Sequence, residues 1–263
     1  MCRHLAYLGP PRTLHELLYA APHSLHVQSW APRKQRYGTV NADGFGAGWY
    51  LPDAPEPLRY RRAMPMWGDA SFADAARALG SRCVVAAVRD ATPGFGSDES
   101  GAQPLRAGRL LFSHNGAVAD DEALAAALPP PPGVLEARGA LDSAPLFGHT
   151  VRLWRRSGNL AGALADTVRR ARELSEGRYN LLASDGESIA ATAAGDTLYT
   201  LREPGGGVFL ASEPFDDSDA WEEIPDGSVV TATREGTEAV PIDRRRQTRP
   251  TPGGDPCSAS TTT

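Results

Sequence analysis

The chain has 263 residues, of which 41% are apolar and 22% charged, and its formal charge is −5. That suffices for one large domain with a buried core, and it gives no general electrostatic reason to bind nucleic acid. No apolar run reaches the ~20 residues of a membrane span, no signal-type apolar stretch follows Met1, and Cys2, Cys83 and Cys257 form neither a disulfide framework nor a zinc-ligand spacing, so a cytoplasmic protein is expected.

Taken in chain order, residues 1–8 alternate loosely and predict a first strand, and 13–20 carry apolar positions at helical spacing behind Thr13, a capping residue. Residues 21–43 read as irregular. The Gly-rich run 44–50 reads as a strand in close contact with another backbone or a ligand. A strand running into a loop is expected over 58–67, a helix capped by Asp69 over 69–79, and a buried strand over 83–88. Residues 109–116 predict a strand ending in an Asn115-Gly116 turn. A helix with an acidic first turn covers 120–128, and two longer ones, 143–156 and 160–175, break near Gly158. After Gly177, short strands joined by Gly, Asp and Pro turns suggest an antiparallel sheet, and residues 244–263 read as a disordered tail. Strands early, helices in the middle and strands late suit an α+β arrangement of two sheets covered by helices, occupying residues 1–243.

Cys2 is the most informative position. Removal of Met1 would expose an α-amine, whose reference pKa of about 7.7–8.0 lies close to that of a thiol. One residue would then hold both a nucleophile and its general base. An incidental strand cysteine and a lipidated cysteine are the other readings, the second lacking its apolar leader. Three segments keep Cys2 company: Arg89-x-Ala91-Thr92-x-Gly94 after a buried strand, His114-Asn115-Gly116 at the end of another, and Asp142-Ser143 at a helix start.

This set resembles the class II glutamine amidotransferases, a family of N-terminal nucleophile hydrolases, in order and spacing across roughly residues 1–215. The resemblance implies a four-layer αββα sandwich of two antiparallel sheets and acyl transfer at a γ-glutamyl amide through a thioester. It is nearest to a branch that removes glutamate from an intermediate of ergothioneine biosynthesis. By resemblance, Cys2 attacks the γ-carbonyl, and the Asn115 side chain with the Gly116 N–H holds the oxyanion. Arg89, assisted by Thr92, takes the glutamyl carboxylate and Asp142 the ammonium, with His114 and Ser143 also at the substrate. On their own, Asn-Gly also reads as a hairpin turn, Arg89 as a surface residue and Asp142 as a helix cap. The run 41–50 lacks nucleotide-loop spacing, and residues 211–214 read as a supporting turn. The mechanism requires neither His4 nor His114 as a base, and Cys83 reads as inert core.

The sequence departs from the sugar- and purine-pathway relatives in lacking their Arg-Gly pair after the first helix, and it leaves no room for their second catalytic domain. Hydrolysis is therefore the expected whole activity. The alternative is a glutaminase subunit feeding ammonia to a separate synthase. Trp30, Tyr37 and Trp67 are candidates for a leaving-group pocket, because aromatic faces suit a quaternary ammonium. A small-molecule γ-glutamyl substrate is expected, with no cofactor, metal, nucleic acid or membrane, and the oligomeric state is left open.

Overall fold

The computed structural model describes residues 2–91 and 98–243. Two antiparallel sheets face each other. In the first, β1 (Arg3–Thr13) lies between β4 (Gly80–Val88) and β10 (Val208–Ala211). Beyond β4 come β2 (Phe45–Trp49) and β3 (Leu58–Arg62), and beyond β10 come β9 (Tyr199–Arg202) and β11 (Glu222–Glu223). The second sheet runs β13 (Thr237–Pro241), β12 (Ser228–Ala232), β8 (Ile189–Ala193), β7 (Gly177–Ser184), β6 (Leu110–Val118), β5 (Leu105–Ala107).

Period-two alternation assigns each strand face to a layer. On β1, Leu5 and Tyr7 point outward into a core shared with Val84, Phe209 and the helices α1 (Leu14–Leu18), α2 (Leu25–Gln28) and α3 (Ala70–Ala75). Ala6 and Leu8 point inward and meet Leu111, Leu182 and Ala191 of the opposite sheet. A third core packs Phe112, Leu181 and Ala183 beneath α4 (Asp121–Ala127), α5 (Ser143–Ser157) and α6 (Leu160–Leu174). The layers are helix, sheet, sheet, helix, as expected.

Local chemistry sets the helix ends. Thr13 and Glu16 form a reciprocal capping box on α1, Asp69 accepts from the Phe72 N–H ahead of α3, and Gly158 ends α5 at φ +67°. The Gly-rich β2 lets the sheets approach. A Cβ at Gly46 would run into the Gln103 carbonyl, and one at Gly48 would lie 2.7 Å from Leu111 Cδ1. This strand adjoins β4 and is not next to the strand that follows Cys2.

Three sequence expectations change. Asn115-Gly116 makes no turn: β6 continues to Val118, with Asn115 opposite Asn180 and Gly116 opposite Tyr179. Turn propensity yields here to a long partner strand. The late strands form parts of both sheets, because β9 and β10 cross back to β1. The segment 21–43 contains the one-turn α2, capped by Ser24. The expected tail, 244–263, lies outside the described residues.

Candidate active site

Antiparallel pairing of β1 with β4 sets Arg3 opposite Val88, so Cys2 and Arg89 leave the sheet side by side. Asn115 approaches from the facing sheet, and its Oδ1 accepts the Cys2 N–H at 3.2 Å. Cys2 is buried. Burial pushes its thiol above the ordinary value, while a backbone hydrogen bond from Asp90 and the charge of Arg89 oppose the shift without cancelling it. Such a thiol is protonated near neutrality, and use as a nucleophile requires a base.

A narrow recess opens over the thiol. Its walls include Cys2, Arg89, His114, Gly116, Asp142 and Ser143, six of the positions singled out from the sequence. Asn115 lies directly behind them, and Thr92 lies outside the described residues. Arg89 is held on three sides. Its backbone pairs with Asp43 and Gly44, and its guanidinium lies against Gly101, where an added Cβ would come within 2.9 Å of Nη1. Asp43 extends this grip by accepting the Ala91 N–H at 2.8 Å. Asp142 occupies the N-cap position of α5, yet its side chain makes no capping bond, so the cap reading does not hold for its carboxylate. Gly116 is obligatory, since a Cβ there would collide with the Arg178 carbonyl.

Around the recess lies a buried polar frame. Arg3 donates from Nε to the Cys2 carbonyl at 2.8 Å, and its Nη1 lies 3.7 Å from the Glu213 carboxylate. Glu213 also accepts the backbone N–H groups of Arg33 and Lys34, at 2.9 and 2.8 Å. Ser212 Oγ accepts from the His4 N–H at 3.0 Å. Gln103 Oε1 accepts from both the Ser113 hydroxyl and the His114 N–H, each at 2.7 Å. The turn 211–214 is thus a support, as the sequence suggested. Gln103 and Arg3 were not legible there, because a lone Gln before Pro and an Arg in a strand carry no local signal.

The histidines take hydrogen-bonding positions. His4 Nδ1 lies 3.2 Å from Ser113 Oγ, and burial lowers its pKa to about 3, which leaves it neutral. His114 Nε2 donates to the Arg178 carbonyl at 2.9 Å. Cys83 is buried against Ser184, and burial raises its pKa to about 12. The aromatic trio divides. Trp30 and Trp67 pack edge to face at 6.0 Å, whereas Tyr37 lies with Arg178 over its ring at 4.3 Å, one residue link from His114.

Residues 18–208 match the model of the class-II glutamine amidotransferases. The chain belongs to that family. Among its relatives, a gamma-glutamyl-hercynylcysteine sulfoxide hydrolase of Mycolicibacterium smegmatis is 45% identical over 88% of this chain and 95% of its own length. A protein of the same name from Mycobacterium tuberculosis is 40% identical over 95% of this chain and 100% of its own. A class-II domain protein from Silicibacter pomeroyi superposes with a TM-score of 0.63 at 24% identity, over 92% of this chain and 99% of that one. The glutamine phosphoribosylpyrophosphate amidotransferase of B. subtilis superposes at 0.58 with 15% identity, over 93% of this chain and 50% of that one. The last two establish the shared fold, that of the N-terminal nucleophile amidotransferases.

Proposed function

We propose that the chain hydrolyses the γ-glutamyl amide of γ-glutamyl hercynylcysteine S-oxide, releasing glutamate and hercynylcysteine S-oxide in ergothioneine biosynthesis. The observation that carries this reading is the recess that gathers a buried Cys2, Arg89 and Asp142 against Asn115. The names of the two mycobacterial relatives supply the leaving group.

Arg89 takes the glutamyl α-carboxylate in a two-pronged contact and Asp142 takes the α-ammonium, which requires both ends of the glutamyl group to be free. With Met1 removed, the Cys2 nitrogen is a primary amine whose N–H is directed to Asn115 Oδ1, the contact its backbone N–H makes here. The amine lone pair accepts the thiol proton as sulfur bonds to the carbonyl carbon of the γ-glutamyl amide. The carbonyl oxygen becomes an oxyanion held by Asn115 Nδ2 and the Gly116 N–H. The ammonium returns the proton to the amide nitrogen, the C–N bond breaks and the amine product leaves a γ-glutamyl thioester. Water, deprotonated by the same amine, cleaves the thioester to glutamate and regenerates the thiol. No step uses a metal or cofactor.

The family match favours a second reading, release of ammonia from glutamine for a separate synthase. The two readings share every step and differ only in the leaving group.

The acyl-enzyme tests the mechanism. Protein whose first residue is Cys2, quenched in acid during turnover, is expected to gain the mass of one glutamyl group on the N-terminal peptide. Cys2→Ala is expected to stay folded, gain no mass and turn over at least 10³-fold more slowly. Unchanged turnover in Cys2→Ala contradicts the mechanism.

A further inference from the structure

Ser212 does nothing in the chemistry described above, yet it lies behind the group that does most. Its Oγ is 3.4 Å from Asn115 Nδ2, which donates to it, while Asn115 Oδ1 receives the Cys2 N–H. Ser212 is itself immobilised. It is fully buried, its N–H donates to the His4 carbonyl at 2.9 Å, its carbonyl accepts the Thr197 hydroxyl at 2.8 Å, and its Oγ accepts the His4 N–H.

An asparagine amide can sit in two orientations that exchange oxygen and nitrogen. Only one serves the reaction, because oxygen must face the Cys2 amine and nitrogen the oxyanion. The Cys2 N–H selects the orientation from one side. The hydroxyl oxygen of Ser212 holds it from the other and consumes one Nδ2 hydrogen, leaving the second to the recess, since Nδ2 has no other partner among the described residues.

We infer that Ser212 is a positioning residue that locks the Asn115 amide for oxyanion binding. The inference rests on the nucleophile and oxyanion roles proposed above. It assigns the residue a kinetic role distinct from fastening β1 to the turn at 211–214, a role the His4 N–H contact alone would give it.

The test compares Ser212→Ala and Ser212→Thr with wild-type protein, each confirmed to begin at Cys2. Hydrolysis of the γ-glutamyl S-oxide conjugate and of γ-glutamyl p-nitroanilide is followed beside alkylation of Cys2 by iodoacetamide. Alkylation needs the thiol but forms no oxyanion. Ser212→Ala is expected to lower kcat ten- to a hundredfold on both substrates, with KM and the alkylation rate within about threefold of wild type. Ser212→Thr, which keeps the oxygen, is expected to recover most of the kcat. A kcat within twofold of wild type in Ser212→Ala overturns the inference. So does a parallel fall in alkylation and kcat, which marks general loss of the site. Wild-type protein that hydrolyses neither substrate overturns the nucleophile reading and this inference with it.

Discussion

Cys2 has a thiol that burial keeps protonated, with the Asn115 oxygen at its nitrogen and the Arg89 guanidinium beside it. In the proposed mechanism that combination puts proton removal at the moment of attack and gives Arg89 a task of geometry more than of activation. Arg89→Lys keeps the charge but loses the planar fork. It is expected to raise KM for γ-glutamyl substrates about tenfold or more while changing kcat much less; steady-state kinetics would show this, and an unchanged KM would remove Arg89 from carboxylate recognition. Cys2, Arg89, Asn115, Gly116 and Asp142 were all legible as one family pattern, although none is distinctive alone. Gln103 and Arg3 were not, because their partners come from other elements; Ser212 was legible only as part of a supporting turn. The carboxylate of Asp142 shows the reverse case, since its sequence fits a helix cap but its side chain makes no such bond.

At the scale of elements, strands with continuous or alternating apolar residues were readable, as were the break at Gly158 and the caps at Thr13 and Asp69, whereas Asp120, read as part of an acidic first turn, is the cap of α4. The Asn115-Gly116 pair was misread because local turn preference says nothing about β7, which pairs with β6 along its full length. The sheet to which each late strand belongs was likewise invisible, being decided by long-range crossing. Strand β1 carries a titratable liability in His4. Its folded pKa of about 3 lies below the ordinary 6.5, so the unfolded chain binds the proton more readily. Stability from this residue is therefore complete above pH 6.5 and is lost as pH falls toward 3. Between pH 7 and 4.5 the loss is about 2–3 kcal/mol. Denaturant unfolding at both pH values is expected to show that much less pH dependence in His4→Asn than in wild type, even if the variant is weaker at pH 7. Equal slopes would place the acid sensitivity elsewhere.

For the molecule as a whole, stacking two sheets brings residues far apart in sequence into one recess. Cys2, the proposed nucleophile, precedes β1 in one sheet and the Asn-Gly pair lies on β6 in the other, while the start of α5 brings Asp142 to the same recess. Small residues on the facing surfaces, Gly46, Gly48, Ala6 and Ala191 among them, allow that approach. The Arg3–Glu213 pair joins β1 to the loop bearing Arg33 and Lys34, and Tyr37 farther along that loop reaches Arg178. Glutamate release by protein beginning at Cys2 is the most direct measurement, with γ-glutamyl hercynylcysteine S-oxide and glutamine supplied separately. A kcat/KM for the S-oxide at least a hundredfold above that for glutamine is expected, and equal or higher turnover of glutamine would overturn the proposed hydrolysis.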